Sequence, residues 1–499
     1  MKTLLDEVDV LASHGDLEVE ARGLSYDSRR ARAGDVFFAL PGLKSDGRAF
    51  VRSAIEAGAL AVVSAATERW LGAANVQVRD PRLALAQAAN RFHDHPSRAL
   101  RVAAVTGTNG KTTTTYLLES IFRVAGWGAG VIGTTGVRFG GENRALPFTT
   151  PESPELQALL REMVDARIGA VALEVSSHAL AQRRSFGLEC DAVIFTNLSH
   201  DHLDYHGSMA AYLDAKLMLF DGRNGATTKR TTAVINLDDP AAPTVLAAAT
   251  RQRMAMRTYG RDARADVRLG AVRPAPQGLT VEFMPSADPG RPPSSSGTVK
   301  IALPLLGAYN AWNAAAAFAA ARAMGVSDDA ARRGLERASG VPGRLERVEA
   351  GRAFHVVVDY AHTPDALERA LAAVRDHFPG RVLLVFGCGG DRDRAKRPRM
   401  GEVAARAADR AWVTNDNPRS EDPAAIAREV LAGAPPGRLA LELDRRAAIA
   451  AALDAATDGD VVLIAGKGHE TTQTIGERVL PFDDREVVRE LLAAGGRRA

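Results

Sequence analysis

The residues best suited to chemistry lie in the stretch 102–115, where an apolar run is followed by glycines, a lysine and threonines. The run predicts a buried strand and residues 116–124 a helix, so the glycines fall in a turn at a helix N-terminus. Such a turn binds phosphate through backbone N–H groups, a lysine can reach the outer phosphates, and a threonine can ligate magnesium. Val105 replaces the first glycine of the usual pattern, so this is a variant loop. We predict a nucleotide-phosphate site formed by Gly107, Thr108, Asn109, Gly110, Lys111, Thr112 and Thr113.

A second group of polar residues follows two further apolar runs. Glu174 closes the predicted strand 170–174, and the stretch 200–206 after another strand holds three histidines and two aspartates. A polar surface loop would explain one histidine, but this density beside a nucleotide loop favours a metal site. We predict that Glu174 and His202 bind magnesium, and that Thr112 and the phosphates complete the shell.

The last third of the sequence has four glycine- and charge-rich segments, each after an apolar strand. In a parallel sheet these strand ends converge on one rim. Each segment alone could be an ordinary turn. Together they carry Arg392, Arg394, Arg419, Asp416 and Glu470, and guanidinium groups bind carboxylates bidentately. We therefore predict a site for a small zwitterion with more than one carboxylate, formed by residues 359–364, 387–394, 415–422 and 466–470.

The composition excludes several classes of protein. With 63 basic and 60 acidic residues interspersed, the net charge is only +3, so no block of charge indicates nucleic-acid or membrane-surface binding. No apolar run reaches the ~20 residues of a membrane span, and we expect a cytoplasmic protein. Only eight of the basic residues are lysines, which directs attention to those inside motifs: Lys111, Lys216, Lys396 and Lys467.

A chain of 499 residues is too long to fold around one ordinary hydrophobic core. The alternation of predicted strands and helices indicates an α/β protein of three domains. Residues 1–98 form a small α/β domain, and 99–340 form a central P-loop-type domain with a parallel sheet. A Pro/Ser/Gly-rich loop at 285–297 interrupts a predicted β excursion in that domain. Residues 341–499 form a doubly wound, Rossmann-like domain, where strand and helix alternate again.

In order and spacing, five motifs resemble those of the Mur ligases, which use ATP to add amino acids to the peptide of the bacterial cell-wall precursor. These motifs are Gly107–Thr113, Glu174–His178, His200–Asp204, Asn310–Asn313 and Pro342–Arg344. The resemblance spans essentially the whole chain. The segments Asp27–Arg29 and Asp416–Arg419 are similar to the sequence motifs of one branch of this family. That branch adds meso-diaminopimelate to UDP-N-acetylmuramoyl-L-alanyl-D-glutamate.

The resemblance implies roles for individual residues. Lys111, Glu174, His202 and Lys216 would be catalytic, with Lys216 carbamylated so that its new carboxylate supports a second Mg²⁺. ATP would also contact Asn310 and Arg344. The UDP-linked precursor would contact Tyr26, Ser28, Leu43, Lys44, Ser45, Thr149, Thr150, Ser176, Gln182 and Arg184. Diaminopimelate would contact Arg392, Asp416, Asn417, Pro418, Arg419, Gly466 and Glu470.

The implied reaction passes through an acyl phosphate, because a carboxylate does not react with an amine at neutral pH. We expect a monomer that uses only small-molecule substrates, with Mg²⁺ as the cofactor and ATP as a co-substrate. Three alternatives remain open at this point. They are L-lysine as the acceptor, a folylpolyglutamate-synthetase-like ligase, and a nucleotide-switched binding protein without ligase activity.

Overall fold

The computed structural model describes residues 1–42, 46–286 and 297–495. Leu43, Lys44 and Ser45, which were predicted to contact the uridine nucleotide, lie outside the described residues, as does most of the loop at 285–297. The chain divides into two compact units. Unit 1 contains the described residues within 1–269, 284–297 and 312–334, and unit 2 contains those within 270–283, 298–311 and 335–499. No described helix is both long and apolar enough to cross a membrane.

The first part of unit 1 is a five-stranded sheet in the order β1-β5-β4-β3-β2. The strands from β2 to β5 are parallel, and β1 joins β5 antiparallel. Helix α2 begins at Pro81, and the preceding Asp80 carboxylate accepts hydrogen bonds from the backbone N–H groups of Arg82 and Leu83. The elements are β1 (Val10–His14), β2 (Gly23–Ser25), β3 (Asp35–Phe38), α1 (Val51–Glu56), β4 (Ala61–Ser64), β5 (Ala74–Val78) and α2 (Pro81–Phe92).

The central strands of unit 1 place the predicted nucleotide loop between two neighbours. Strand β6, which precedes the loop, pairs in parallel with β10 on one side and β11 on the other. The carboxyl ends of all three strands therefore meet at one edge. The sheet runs β13-β12-β11-β6-β10-β7 in parallel, and β8 and β9 continue it antiparallel. These strands are β6 (Arg101–Thr106), β7 (Ala129–Gly133), β8 (Gly136–Phe139), β9 (Glu142–Arg144), β10 (Ala170–Glu174), β11 (Ala192–Phe195), β12 (Thr232–Asn236) and β13 (Ala255–Gly260).

The helices of this region include the one that the nucleotide loop opens, α3. They are α3 (Lys111–Val124), α4 (Ser153–Asp165), α5 (Ser177–Ala181), α6 (Leu203–His206), α7 (Met209–Leu217) and α8 (Ala242–Arg251). Most of α9 (Asn310–Ala323) and α10 (Asp328–Glu336) also belongs to unit 1, but the first two residues of α9 and the last two of α10 belong to unit 2. The predicted β excursion is present as β14 (Val267–Ala275), β15 (Gly278–Pro285) and β16 (Val299–Leu303), of which β15 and β16 pair antiparallel.

Unit 2 contains a six-stranded sheet in the order β17-β18-β22-β19-β20-β21, parallel except for β17. Its strands are apolar on both faces. Leu384 faces a core shared with α11, α12 and α13, whereas Leu383 and Val385 face a core shared with α14 and α15. Helices thus cover both faces, as a doubly wound sheet requires.

Strand ends on one side of this sheet carry the predicted amino-acid site. The strands are β17 (Glu346–Val348), β18 (His355–Asp359), β19 (Val382–Phe386), β20 (Arg410–Val413), β21 (Ala440–Leu441) and β22 (Val461–Ala465), followed by a hairpin of β23 (Thr472–Ile475) and β24 (Arg478–Pro481). The helices are α11 (Pro364–His377), α12 (Lys396–Ala407), α13 (Pro423–Leu431), α14 (Arg445–Ala455) and α15 (Asp484–Gly495).

Candidate active site

The turn between β6 and α3 has the geometry of a phosphate-binding loop. Gly107 and Gly110 adopt φ angles of +146° and +85°, and Gly110 is the residue that caps α3. A Cβ atom on Gly107 would lie 1.9 Å from the hydroxyl oxygen of Thr196, at the end of β11. The N–H of Thr108 donates to the Asn197 carbonyl at 2.8 Å. Packing against β11 therefore fixes the turn at the helix N-terminus, where its partial positive charge favours an anion.

Two lysines converge on this turn. The Lys111 ammonium donates to the carbonyl oxygens of Gly107 and Thr108 at 2.9 and 2.8 Å, and Lys216 Nζ donates to Gly107 O at 2.8 Å. Lys216 is almost fully buried, and its Nζ lies 4.2 Å from the centre of the Tyr212 ring. Burial, aided by the charge of Lys111, lowers the pKa of Lys216 to about 6. At neutral pH Lys216 is therefore largely an uncharged amine.

The buried carboxylate of Glu174 lies next to Thr112, the residue with which it was predicted to bind magnesium. One carboxylate oxygen accepts from the Thr112 hydroxyl at 3.0 Å and from the Thr134 hydroxyl at 3.1 Å. The other accepts from the Thr134 N–H at 2.9 Å. Burial raises the pKa of Glu174, although Lys111 opposes the shift. A divalent cation at these oxygens would offset the cost of burying the charge, so Thr112 and Glu174 fit a magnesium ion.

His202, the other predicted ligand, lies in an aromatic cluster. Its ring centre is 4.8 Å from that of His178 and 6.0 Å from that of Tyr212, whose hydroxyl lies 3.2 Å from the Thr108 hydroxyl. Within the described ranges, no three His, Cys, Asp or Glu side chains form a ready-made metal cluster. The protein thus pairs Thr112 with Glu174, and Tyr212 connects His202 with Lys216.

The residues predicted to hold the dipeptide precursor meet beside Glu174. Thr150 donates its hydroxyl to the Glu174 carbonyl at 2.9 Å and accepts from the Ser176 N–H at 3.1 Å. Arg184 donates to the Thr150 carbonyl at 3.2 Å and to the Gln182 amide oxygen at 2.6 Å. The Thr149 hydroxyl lies 3.1 Å from that of Thr134. These contacts form a continuous, largely buried hydrogen-bond network from Arg184 to Glu174.

Two residues that contact Arg184, namely Glu152 and Phe148, belong to none of the motifs found in the sequence. Glu152 is buried and forms an ion pair with Arg184 at 3.0 Å, and burial raises the pKa of this carboxyl. Phe148 is exposed, and the Arg184 guanidinium lies 4.5 Å from the centre of its ring. Glu152 and Phe148 thus hold the Arg184 guanidinium in one orientation.

The two described residues predicted to bind uridine lie in the first part of unit 1. The Tyr26 hydroxyl donates to Glu155 of α4 at 2.9 Å, and burial raises the pKa of Tyr26. Arg30 forms an ion pair with the same glutamate at 3.1 Å. Ser28 belongs to a turn, where its carbonyl accepts from the Ala31 N–H. Tyr26 therefore connects this sheet with the helix that follows the dipeptide-site threonines.

In unit 2 the predicted amino-acid site is assembled around Asn417. Its amide nitrogen donates to the Glu470 carboxylate at 2.8 Å, and its amide oxygen accepts from the Thr474 N–H at 2.9 Å. Arg419 has a left-handed φ of +51° and donates to the Gly390 carbonyl at 2.7 Å. Asn417 therefore contacts Glu470 directly, and its backbone carbonyl accepts from the N–H of Gly390, the residue whose own carbonyl accepts from Arg419.

The other predicted members of this site have structural partners. Gly466 has a φ of +117°, and a Cβ atom there would lie 2.4 Å from the Asp416 carboxylate, whose pKa is raised by burial. The backbone of Pro418 packs against the loop before α12, and Arg392 is exposed and donates to the Asp391 carbonyl at 3.3 Å. Arg394 instead forms an ion pair with Glu429.

Asn310 and Arg344, the remaining residues predicted to bind ATP, also lie in unit 2. The Asn310 amide is buried and donates to the Leu306 carbonyl at 2.7 Å. The Arg344 guanidinium lies 4.9 Å from the centre of the Tyr360 ring. Their contact with a nucleotide stays a prediction.

Comparison with known proteins identifies the family. Three family profiles match: "Mur ligase family, catalytic domain" over residues 20–101, "Mur ligase middle domain" over 105–321 and "Mur ligase, glutamate ligase domain" over 343–468. A UDP-N-acetylmuramoyl-L-alanyl-D-glutamate–2,6-diaminopimelate ligase from Geobacter sulfurreducens is 44% identical, with 97% of each chain covered. The ligase of that name from Syntrophomonas wolfei is 41% identical, with 98% of each covered. The chain belongs to the Mur ligase family.

Solved structures agree with this assignment. A ligase of the same name matches this Mur ligase with a TM-score of 0.72 and 34% identity over 95% of each chain. Folylpolyglutamate synthase from Mycobacterium tuberculosis matches with a TM-score of 0.61 and 21% identity over 78% of this chain and 92% of its own, which shows a shared fold alone. The predicted α/β class and three-domain family architecture are confirmed. The exact boundaries 1–98, 99–340 and 341–499 stay predictions.

The structure of this Mur ligase adds one buried cation to the predicted amino-acid site. Lys467 is fully buried, and its Nζ donates to the Thr472 carbonyl at 2.5 Å. It also lies 3.4 Å from the Glu470 carboxylate and 3.5 Å from the Asn417 amide oxygen. The scarcity of lysine had drawn attention to Lys467 without assigning a role. Lys467 therefore forms an ion pair with Glu470 inside this site.

Proposed function

We propose that this Mur ligase uses ATP to join meso-diaminopimelate to UDP-N-acetylmuramoyl-L-alanyl-D-glutamate. The observation that carries the proposal is a chain of contacts in unit 2: Glu470 accepts from the Asn417 amide, and Arg419 donates to Gly390, whose N–H donates to the Asn417 carbonyl. Diaminopimelate has a second amino-acid centre, whose carboxylate suits the guanidinium and whose ammonium suits Glu470. L-Lysine has an ammonium but no carboxylate at that end. The names of relatives 41–44% identical over nearly the whole chain support the same acceptor.

The first step activates the D-glutamyl side-chain carboxylate. One of its oxygens attacks the γ-phosphorus of ATP, and ADP leaves, giving an acyl phosphate. Backbone N–H groups of the Gly107–Gly110 turn and the N-terminus of α3 bind the phosphates, and Lys111 donates to them. Thr112, Glu174 and His202 would hold Mg²⁺, which when bound neutralises the charge on the phosphates.

Lys216 contributes as a carbamate in this proposal. A neutral amine attacks CO₂, forms an N–C bond and releases a proton, which leaves an anionic carboxylate at the end of the side chain. Supporting features are the burial of Lys216, the depressed pKa of its amine and its position on the Gly107 carbonyl next to Lys111. The new carboxylate would supply hard oxygen for a second Mg²⁺ and a counter-charge for Lys111.

The second step forms the amide. The uncharged amine of diaminopimelate attacks the acyl carbon, and the tetrahedral intermediate expels inorganic phosphate; the nitrogen loses its extra proton. Thr150, Ser176 and Arg184 hold the dipeptide so that its carboxylate stays at the nucleotide loop. The precursor and ATP are cytoplasmic metabolites, so we place the reaction there.

The test measures phosphate release by the purified enzyme with ATP, Mg²⁺ and UDP-N-acetylmuramoyl-L-alanyl-D-glutamate. We expect turnover with meso-diaminopimelate and little with L-lysine. Turnover with L-lysine instead would contradict the role of Arg419. Turnover only with a folate and glutamate would replace the proposal by the folylpolyglutamate alternative. ATP hydrolysis without any acceptor requirement would favour the nucleotide-switch alternative.

A further inference from the structure

Two loops at the carboxyl ends of neighbouring strands carry the arginines of the acceptor site. The first loop, residues 387–395, follows β19 and carries Arg392. The second loop, residues 414–422, follows β20 and carries Arg419. Neither loop contains a helix or a strand, but Arg419 in the second loop forms an isolated β-bridge with Ile475 of β23. That bridge fixes the second loop, and contacts between the two loops must then fix where the first loop and Arg392 lie.

The loops are bonded to each other along their length. The N–H of Gly390 donates to the Asn417 carbonyl at 2.9 Å, and the Ser420 hydroxyl donates to the Asp391 carboxylate at 2.6 Å. A Cβ atom on Gly390 would lie 1.8 Å from the Pro418 carbonyl oxygen, so the backbones touch. Any shift of one loop therefore moves the other.

Beneath both loops lies Arg397, on the first turn of α12, with a fully buried side chain. Its two terminal nitrogens donate to the two carboxylate oxygens of Glu421 at 2.9 and 2.8 Å. One of them also donates to Glu429 at 2.8 Å, and the other to the Gly389 carbonyl at 3.4 Å. Glu421, in the second loop, accepts in turn from the Asp391 N–H of the first loop at 2.6 Å.

This arrangement depends on the shape of the guanidinium. A buried cation is tolerated only when well-placed anions offset its desolvation, and here two carboxylates do so. The planar fork matches both oxygens of Glu421, which fixes the direction of that carboxylate as well as its distance. A lysine at this position would keep the charge but could not span both oxygens and the Gly389 carbonyl.

We propose that Arg397 and Glu421 are the positioning residues of the acceptor site, which set the separation of Arg392 and Arg419 by locking the two loops together. The inference rests on the proposed function, because it assigns these arginines to the acceptor amino acid. Arg397 is buried, so it acts through the loops. The pair determines how well an acceptor with a second carboxylate is distinguished from one without it.

The first variant is Glu421→Gln, which keeps the size of the side chain and removes the charge that matches the fork. Small misplacements of binding groups have large kinetic effects, so we expect the KM for meso-diaminopimelate to rise about tenfold or more. We expect kcat and the KM values for ATP and the UDP-linked precursor to stay unchanged. The preference for meso-diaminopimelate over L-lysine in kcat/KM should fall by the same factor. Arg397→Lys should give an intermediate rise.

The matched control is Asp460→Asn, which disrupts the ion pair of Arg381 and Asp460. These residues lie at the amino ends of β19 and β22, away from the loops at the carboxyl ends. This variant should lower the midpoint temperature of thermal unfolding without changing the KM for the acceptor. If Glu421→Gln does not fold, Ser420→Ala removes the exposed bond to Asp391 and should raise the same KM by a smaller factor.

Three results separate the possible failures. A wild-type enzyme that turns over with meso-diaminopimelate, together with folded variants whose KM and acceptor preference are unchanged, overturns the positioning role alone. Equal losses of kcat with all substrates would also overturn it, because they indicate a general structural effect. A wild-type enzyme without activity on meso-diaminopimelate overturns the proposed function, and the positioning role falls with it.

Discussion

Replacing Arg419 by lysine tests the acceptor assignment most directly. The Arg419 backbone is held independently of its side chain, because its N–H donates to the Thr474 carbonyl and its carbonyl accepts from the Gly476 N–H. The side chain donates to the Gly390 carbonyl from one terminal nitrogen. Arg419→Lys therefore keeps the backbone conformation and the positive charge, and removes only the planar guanidinium group with its several N–H donors.

The expected fall in kcat/KM follows from the hydrogen bonds that the guanidinium can donate. With one nitrogen on Gly390, the other donors of the guanidinium can meet the distal carboxylate of diaminopimelate. A hydrogen bond to a charged group contributes about 1.5–3 kcal/mol. At about 1.4 kcal/mol for each tenfold change, its loss lowers kcat/KM for meso-diaminopimelate by about 10- to 150-fold. L-Lysine lacks that carboxylate, so its low kcat/KM should stay the same.

The assay is coupled phosphate release with saturating ATP and precursor, at varied concentrations of each amino acid. Arg446→Lys is the control, since Arg446 pairs with Glu490 at 2.6 Å, half-exposed in the same unit. That variant should behave like the wild type. An Arg419→Lys enzyme that loses the same factor with both amino acids, or none with diaminopimelate, would refute the assignment of Arg419 to the second carboxylate.

Four further predictions concern buried groups. With isotope-labelled CO₂, the NMR spectrum of the wild type should show a carbamate signal that Lys216→Arg abolishes together with ligase turnover; a signal that persists would place the carbamate elsewhere. Asp484→Ala leaves the fully buried guanidinium of Arg445 without its carboxylate, so urea unfolding should show a loss of about 3–5 kcal/mol, and a loss below about 1 kcal/mol would contradict this reasoning. Burial raises the pKa of Cys190 and Cys388 to about 12, so neither thiol should react with a disulfide reagent at about pH 8 until the protein unfolds. Above pH 9 the unfolded thiols ionise while the folded ones keep their protons, so the free energy of unfolding should fall as pH rises, and a Cys190→Ala, Cys388→Ala variant should lose that part of the fall.

The phosphate loop could be predicted from the sequence because its parts are contiguous. A strand, a glycine turn and Lys111 lie within a few residues of each other, and the local pattern determines their geometry. The reason that Gly107 must be glycine is different, since it depends on Thr196 at the end of another strand. Pairing of β6 with β11 brings the two together, and no local pattern encodes that pairing.

Arg397 shows where local patterns mislead. It lies in the segment 396–399 with three other polar or proline residues, which is typical of a solvated basic face. The folded protein buries it because Glu421 and Glu429 arrive from more distant parts of the chain. Arg394, which the sequence suggested for carboxylate recognition, is paired with Glu429 for the same reason. Charge alone did not distinguish an exposed arginine such as Arg392 from Arg397, which is buried beneath the loops.

Strand β1 and Thr134 were missed for related reasons. The residues of β1 are mostly exposed, so the strand lacks the alternation that indicates a half-buried strand. Thr134 supplies two of the hydrogen bonds to Glu174 from a segment without any motif. Both gain their roles only through neighbours in the sheet.

The left-handed backbone of Arg419 limits how acceptor choice can be altered by engineering. At a φ of +51°, β-branched residues are strongly disfavoured, whereas glycine, asparagine and aspartate are tolerated. A random library at position 419 would therefore lose valine, isoleucine and threonine to backbone strain before their binding properties mattered. Productive changes of specificity should concentrate on unbranched polar side chains here, or shift to Arg392, which has no such backbone restriction.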